Sequence, residues 1–372
     1  MIDTEYTPFE LYLRQLIANA GPMPVSRYMQ LCMTHPEYGY YVNRDPLGRG
    51  GDFTTAPEIS QMFGELIGLW AASVWNAMGM PERIQLIELG PGRGTMMADA
   101  LRAIRILPAF FDAIDVHLVE VSPSLRAIQR DTLADVKPFQ WHHMLSDVPD
   151  GPAIIIANEY FDVLPIHQMV KKDTGWHERM VDVDDDIFIF TTATEPTPRF
   201  EVSVPPHVRN APNGTIFEWR ETNEIMSLAR RIREFGGAAL LIDYGHIRSD
   251  AGDTFQAVAK HKYTDPLRAP GTADLTAHVD FQALADAAQA MGVLTHGPVE
   301  QGAFLGHLGI ETRAQTLIKH STSQSAGDVA AALKRLVESG PKAMGSLFKV
   351  LGLSHPSIPT LAALSDSTSE SA

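Results

Sequence analysis

Between residues 81 and 162, short apolar runs alternate with stretches in which apolar residues recur every three or four positions. The short runs predict strands, and the periodic stretches predict helices. The predicted strands are residues 84–89, 116–121, 139–145 and 153–157, and the predicted helices are residues 95–106 and 124–133. Because every position of 153–157 is apolar, we expect that strand to be buried on both faces of a parallel sheet. The βαβαβ order predicts an α/β fold with a doubly wound sheet.

Residues 7–80 have a mainly helical pattern. The apolar residues that share one face of a helix here are Ile59, Phe63, Ile67, Trp70 and Val74. Thr55-Ala56-Pro57-Glu58 has the form of a capping box with proline just inside the helix. A glycine-rich stretch over residues 48–52 precedes it and indicates a flexible loop. We therefore expect residues 1–80 to form an N-terminal helical cap, or lid.

The pattern changes to β alternation over residues 163–220, as in Ile187-Phe188-Ile189-Phe190. This predicts a β-rich arm inserted into a larger domain of residues 81–355. The elements predicted after the arm are helices at 224–235 and 281–291 and strands at 238–242 and 348–351. Residues 356–372 are expected to form a disordered tail, because the last eight are rich in Ser, Asp and Glu.

Charge and composition argue against several classes of protein, among them nucleic-acid-binding, disulfide-bonded and membrane-spanning proteins. The 372 residues carry 30 Lys+Arg and 45 Asp+Glu, a formal net charge of −15, and no basic cluster suggests nucleic-acid binding. The single cysteine, Cys32, excludes an intramolecular disulfide and argues against a metal site. No apolar run is long enough to span a membrane, and the first residues lack the features of a signal or transit peptide. We therefore expect a cytoplasmic protein of bacterial type.

Three glycines, Gly90, Gly92 and Gly94, lie between the first predicted strand of this sheet and its helix. Glycine allows a tight turn and a close approach of the backbone to a ligand. A dinucleotide-binding turn would have its third glycine at the position of Thr95, and a phosphate-binding loop would end in Gly-Lys followed by Ser or Thr. The turn therefore favours a ligand without a pyrophosphate, of which S-adenosyl-L-methionine is the common one.

Two carboxylates accompany this turn. Glu88 lies in the strand before it, and Glu120 ends the next strand, 26 positions after Gly94. An acidic residue at that strand end can accept hydrogen bonds from both ribose hydroxyls of a nucleoside. The alternative is a turn without a ligand and a glutamate that caps a helix. We interpret His142-His143, after the third strand, as pocket lining or surface, because no second metal-binding spacing accompanies them.

Candidate catalytic residues follow the fourth strand in Asn158-Glu159-Tyr160-Phe161-Asp162. If the ligand is S-adenosyl-L-methionine, the reaction is transfer of its methyl group. Because the carboxyl ends of parallel strands share one edge of the sheet, Glu159 is expected to face that methyl group. Asp162, three positions on, could lie on the same side. Two carboxylates would bind a guanidinium bidentately, which favours arginine as the acceptor. Alternatively, both residues cap a helix that begins near Val163.

Six motifs of the sequence resemble those of the MidA-type methyltransferases, whose mitochondrial members assist the assembly of respiratory complex I. The resemblance covers nearly all of residues 7–355. The motifs are Pro36-Glu37-Tyr38-Gly39-Tyr40-Tyr41, the fifteen residues 51–65 (GDFTTAPEISQMFGE), residues 88–94 (ELGPGRG), residues 157–165 (ANEYFDVLP), Asp243-Tyr244-Gly245 and residues 271–281 (GTADLTAHVDF). The second is the most specific of them.

The resemblance implies a class I, Rossmann-like, seven-stranded methyltransferase sheet with extra helical and β elements. It implies S-adenosyl-L-methionine as cofactor, bound by Gly90, Gly92, Gly94 and Glu120. It also implies that the loop 51–54, with Asp52 and Thr54, closes over the cofactor and that Glu159 faces the acceptor. The implied substrate is a protein arginine, on a complex I subunit or a similar assembly target. A small-molecule methyltransferase and a non-catalytic cofactor-binding assembly factor remain the alternatives.

Overall fold

The structure, a computed structural model, describes residues 6–43 and 55–364. Asp52 and Thr54, expected to contribute to the cofactor site, and the rest of the loop 51–54 lie outside the described residues, as do residues 365–372.

The helices of the described ranges are α1 (Pro8–Ala20), α2 (Val25–Thr34), α3 (Tyr40–Asn43), α4 (Ala56–Ile59), α5 (Gln61–Ala77), α6 (Thr95–Ile104), α7 (Pro108–Ala113), α8 (Pro123–Leu133), α9 (Phe200–Ser203), α10 (Asn223–Phe235), α11 (Phe281–Ala290), α12 (Gln301–His307), α13 (Ile310–Lys319), α14 (Ser323–Val337) and α15 (Met344–Leu347). The strands are β1 (Met23–Pro24), β2 (Ile84–Leu89), β3 (Ile114–Val119), β4 (Phe139–His142), β5 (Ala153–Asn158), β6 (Ile166–Lys172), β7 (Gly175–Asp184), β8 (Ile187–Thr192), β9 (Ile216–Arg220), β10 (Gly237–His246), β11 (Gln256–Ala259), β12 (Lys262–Thr264), β13 (Asp274–Thr276), β14 (Val279–Asp280), β15 (Leu294–Glu300) and β16 (Phe348–Ser354). Within the same ranges, no helix combines the length and apolar character that a membrane crossing requires.

The chain folds as two compact units, each built from separate stretches of sequence. Within the described residues, the first unit consists of residues 6–43, 162–221 and 249–278, and the second consists of residues 55–161, 222–248 and 279–364. The structural division therefore differs from the expected boundary at residue 80. The reason is that α4 and α5 share a core with β2, β5 and α6, which places residues 55–80 in the second unit.

The second unit is built on a sheet with the strand order β15-β16-β10-β5-β2-β3-β4, to which β14 adds beside β10. The pairs from β10 to β4 are parallel. β16 is antiparallel to both of its neighbours. This is the expected seven-stranded class I sheet, so the predicted fold class is confirmed. Every residue of β2 and β5 is buried, as a parallel strand covered on both faces requires.

Close packing between α5 and α6, beside this sheet, depends on two glycines of α5. A Cβ atom at Gly64 would lie 2.7 Å from Cβ of Asp99, and one at Gly68 would lie 2.7 Å from the carbonyl oxygen of Ala100. Both distances are shorter than van der Waals contact, so only glycine allows α5 to approach α6 this closely. In the same core, Trp70 of α5 is completely buried.

Strand order reverses between β2 and β5. From β2 the chain continues outward to β3 and β4, and it then returns to place β5 on the other side of β2. Open α/β sheets bind ligands in the crevice at such a switch point, beyond the carboxyl ends of the strands. The glycine turn after β2 and the segment that begins at Glu159 after β5 both start at this point.

The first unit contains the predicted β-rich arm. Its main sheet has the order β1-β7-β6-β9, with β8 beside β7, and all of the pairs are antiparallel. A smaller sheet pairs β12 and β13 with β11. Phe9 and Leu13 of α1, Tyr28 of α2 and Ile166 of β6 are buried in a shared core.

Three local expectations are wrong. The helix predicted to follow Thr55 is two helices, α4 and α5, separated by Ser60 in extended conformation, whose side chain accepts a hydrogen bond from the Met62 backbone amide. Thr55 precedes α4 without a side-chain cap, so the predicted capping box does not form. Residues 356–364, assigned to a disordered tail, are ordered because their apolar side chains are buried in the core of the second unit: Ile358, Leu361 and Leu364.

Candidate functional site

The turn after β2 has a backbone that favours glycine at each of its three predicted positions. φ is +62° at Gly90, +54° at Gly92 and +81° at Gly94, all in the left-handed region. The Gly90 amide donates to the carbonyl of Val119 at the end of β3, and Gly94 leads directly into α6. The turn therefore lies at the switch point, where it exposes backbone groups rather than side chains.

Tyr160 lies close to this turn. A Cβ atom added at Gly90 would be 2.9 Å from Cδ2 of the Tyr160 ring, so even a methyl group at position 90 would collide with it. The Tyr160 hydroxyl lies 3.2 Å from Glu224 Oε1, to which it donates. Burial, followed by the Glu224 charge, raises the pKa of Tyr160, so the hydroxyl keeps its proton. Tyr160 belongs to the sequence motif at residues 157–165, but its contact with the glycine turn arises only in the folded sheet.

Glu120 lies just after β3, where the sequence placed it, and is buried. Its Oε1 accepts from the Ser122 amide at 2.8 Å, and its Oε2 accepts from Gln129 Nε2 at 3.2 Å. These bonds fix the carboxylate in one orientation. Each carboxylate oxygen can accept a further hydrogen bond, so the group keeps the capacity to bind ligand hydroxyls.

Gln129 of α8, which is not among the residues predicted from the sequence, connects the two parts of this site. Its Nε2 donates to the carbonyl oxygen of Gly92 at 2.7 Å as well as to Glu120, and its Oε1 accepts from Trp141 Nε1 at 2.8 Å. The side chain is completely buried. Leu125, Gln129 and Leu133 form the buried stripe of α8. A polar residue in an apolar helical stripe was the signal that could have identified it.

Glu88 is a buried carboxyl group in the central strand β2. No described residue hydrogen-bonds to its Oε2. Burial, and secondarily the charge of Glu120, raises its pKa to about 8. Near neutral pH the group therefore keeps its proton and can both donate and accept. An unpartnered buried carboxyl oxygen is costly unless a ligand or water completes it.

Glu159 follows β5 with a φ of +50°, an unusual conformation for a residue with a side chain. Its amide donates to the Ile242 carbonyl at 2.9 Å, and its Oε1 accepts from the amide of Ala56 at 3.2 Å and from Asn158 Nδ2 at 3.4 Å. Strained backbone of this kind is concentrated at functional sites. The carboxylate is half-buried and tied to the start of α4.

The alternative in which Glu159 and Asp162 cap a helix near Val163 is wrong, because residues 161–164 form a turn that leads into β6. Glu159 does contact a helix start, but it is that of α4. Asp162 belongs to the first unit, where its carbonyl oxygen accepts from the Ala277 amide and from Arg220. Among the predicted residues, Glu88, the three glycines, Glu120 and Glu159 belong to the second unit, and Asp162 does not.

His142, read from the sequence as pocket lining or surface, is partly exposed and faces a second histidine. Its Nε2 lies 3.0 Å from Nδ1 of His117 on the neighbouring strand. Burial, followed by the charge of His142, lowers the pKa of His117 to about 4. The neutral His117 ring therefore makes a polar contact between β3 and β4.

Comparison with known proteins identifies the family to which the chain belongs. Residues 66–299 match the sequence model of a family described as S-adenosyl-L-methionine-dependent methyltransferases. The Drosophila melanogaster protein named Protein arginine methyltransferase NDUFAF7 homolog, mitochondrial, is 37% identical over 372 residues, which cover 92% of this chain and 83% of that protein. The human Protein arginine methyltransferase NDUFAF7, mitochondrial, is 40% identical over 349 residues, which cover 86% of this chain and 77% of that protein.

A solved structure is similar over almost the whole chain. It is a crystal structure of a Burkholderia thailandensis protein bound to S-adenosyl-homocysteine, with a TM-score of 0.82 and 29% sequence identity. The match covers 95% of this chain and 93% of the other.

The comparisons also correct the expected location. The similar proteins from fly, mouse, human and zebrafish are all named as mitochondrial. The expectation of a cytoplasmic protein is therefore wrong. Targeting segments are removed from mature proteins and are independent of the fold, so the composition of the folded chain is no guide to location.

Proposed function

Because the chain belongs to the family of S-adenosyl-L-methionine-dependent methyltransferases, we propose that it transfers a methyl group from that cofactor to a nitrogen of an arginine side chain in a protein. Family membership confirms the predicted enzyme class and cofactor. The arginine acceptor is the finer step, and it is supported by the names of the relatives and by the chemistry of Glu159.

The residues at the switch point fit the cofactor. The left-handed glycine turn admits a close approach to the backbone, and the Glu120 carboxylate is held where it can accept hydrogen bonds from ribose hydroxyls. Glu88 supplies a buried carboxyl oxygen that lacks a partner within the described ranges. We assign Gly90, Gly92, Gly94, Glu120 and Glu88 to cofactor binding.

When bound, the cofactor supplies an electrophilic methyl group on a sulfonium sulfur. The protein must then hold the acceptor nitrogen close to that carbon and in line with the bond that breaks. Glu159 would hold the guanidinium so that one of its nitrogens faces that carbon, and the proton that this nitrogen loses on methylation would leave to solvent. The methylated guanidinium therefore keeps its single positive charge.

One observation carries the assignment of the acceptor side. Glu159 emerges from β5, directly beside β2 and its glycine turn, and the Ala56 and Asn158 hydrogen bonds orient its carboxylate. A carboxylate in that position can bind a guanidinium and direct one of its nitrogens. The proposal rests on Glu159 and leaves Asp162 in the turn of the first unit.

The experiment that tests this function uses a protein extract from cells that lack the chain. The extract is incubated with purified protein and isotope-labelled cofactor, and methylated residues are identified by mass spectrometry. We expect labelled methylarginine in a protein, and we propose a respiratory complex I subunit as the first substrate to examine. Label found only in small molecules, or cofactor binding without any transfer, would contradict the proposal.

A further inference from the structure

A cavity of about 570 Å³ lies in the second unit, with Glu159 in its wall. The facing residues come from the last turns of α14, from α15, from the loop between these helices and from the start of β16. The cofactor residues assigned above are not among those that line it. The cavity therefore contains the acceptor carboxylate, and the glycine turn is not part of its wall.

The lining has a charge pattern unlike that of the whole chain. Three cations, Lys334, Arg335 and Lys342, line it together with two carboxylates, Glu159 and Glu338. The chain as a whole has a net charge of −15. A wall in which cations outnumber carboxylates is therefore a local reversal of the protein's charge.

The three cations are accessible to a ligand. Lys334 and Glu338 form an exposed pair one helical turn apart, with nitrogen and oxygen 3.6 Å apart, and such pairs exchange partners at little cost. Arg335 and Lys342 are exposed, and neither forms a hydrogen bond or an ion pair with any other residue in the ranges 6–43 and 55–364. All three can therefore bind acidic groups of a partner.

The cavity also has an apolar part. Met344, Leu347 and Phe348 line it. Phe348 is buried, with its ring centroid 5.4 Å from that of Tyr244. The aliphatic part of an arginine side chain, three methylene groups long, can pack on such a surface while its charged end reaches a carboxylate.

We propose that this cavity is the acceptor cleft and that it selects arginines flanked by Asp or Glu in the substrate. The inference rests on the proposed arginine methyltransferase function. The guanidinium binds to Glu159, the methylene groups lie on the apolar residues, and neighbouring carboxylates pair with Lys334, Arg335 and Lys342. A substrate with basic flanks would bring like charges together at the rim.

The test compares peptides that contain one arginine flanked by Glu, by Gln or by Lys. We expect kcat/KM to be at least about tenfold higher for the Glu-flanked peptide than for the Lys-flanked peptide, a difference of about 1.4 kcal/mol. The double variant Arg335→Glu/Lys342→Glu should lose or reverse this order. Its matched control, Arg230→Glu/Lys319→Glu, changes one exposed arginine and one exposed lysine outside the cleft and should keep the order.

Two further measurements separate the possible results. Cofactor affinity of the cleft variant, measured by calorimetry, should equal that of the wild type. A loss of affinity would mean that the cations serve the cofactor, which would overturn the proposal. The arginines methylated in the extract should have net acidic flanks. If arginine is methylated without regard to flanking charge, this inference fails and the proposed function stands; if no arginine is methylated, both fail.

Discussion

Gln129 Nε2 donates a 2.7 Å hydrogen bond to the carbonyl oxygen of Gly92. The same nitrogen also donates to Glu120, so a single buried amide fixes both the glycine turn and the ribose-binding carboxylate proposed above. Gln129 thus acts as a positioning residue whose amide group sets the geometry of others.

Replacing Gln129 by methionine keeps the volume and removes all three hydrogen bonds. Losing one orienting hydrogen bond costs about 1–1.5 kcal/mol, so we expect cofactor Kd to rise about tenfold in calorimetry. The free energy of unfolding should also fall, because the indole nitrogen of Trp141 loses its partner. Gln140→Met, on the exposed side of β4, is the control. Lower stability with unchanged Kd would reduce Gln129 to a structural role.

Replacing Gly90 by alanine tests the glycine turn. The methyl group would lie 2.9 Å from the Tyr160 ring, and the left-handed backbone adds strain of about 1 kcal/mol. Gly309→Ala introduces the same kind of strain at φ +86° but meets no atom within 4 Å. We expect both variants to be less stable in urea denaturation and only Gly90→Ala to bind the cofactor more weakly. Equal cofactor affinities would disprove the assignment of the turn.

Glu88→Gln should change how stability depends on pH. The folded-state pKa of Glu88, about 8, lies above its ordinary value of 4.5, so the folded protein binds the proton more tightly than the unfolded chain. Its contribution to stability is complete below pH 4.5 and is lost as the pH rises towards 8. The wild type should therefore lose more free energy of unfolding than the variant between pH 5 and 8. Parallel urea-denaturation profiles of the two proteins would show that Glu88 is ionised in the fold.

Glu159→Gln tests the acceptor side separately. The amide oxygen of glutamine can still accept from the Ala56 amide, so the fold and cofactor affinity should be retained. Without the negative charge the guanidinium is not oriented, and we expect methyl transfer to fall by a factor on the order of 10². Glu311→Gln, exposed on α13, is the control. Unchanged transfer would show that Glu159 does not orient the acceptor and serves only to contact the start of α4.

The sequence predicted the centre of the fold well because burial leaves a strong pattern there. β2 has the predicted limits, and β5 extends the predicted strand by one residue, since a strand covered on both faces is mostly apolar; Gln85 and Glu88 are the polar exceptions in β2. β15 was missed because its residues are only partly buried or exposed and a change of register at Gly297-Pro298 breaks its pairing with β16. Small strands such as β11 and β12 were not predicted, because the residues around them have the composition of a loop.

The same distinction applies to the site residues: those marked by a local sequence pattern were predicted, and those defined by contacts between distant residues were not. A glycine-rich turn between a strand and a helix predicts a ligand-binding turn. The order of strands in the sheet predicts that the acidic residues at the strand ends lie near it. Gln129 could not be assigned a role, because its partners Gly92 and Trp141 are distant in sequence and meet only in the folded sheet. The contact of Glu159 with Ala56 spans 103 positions and was hidden for the same reason.

The position of β16 has a consequence for synthesis of the chain. β16 is the last strand of the part of the chain that the structure describes, yet it lies between β10 and β15 and pairs with both. Until residue 354 has left the ribosome, β10 lacks its antiparallel neighbour, and β15 lacks its partner in the sheet. The sheet can therefore be completed only after residue 354 has been synthesised, and a nascent chain must keep the apolar edge of β10 from aggregating until then.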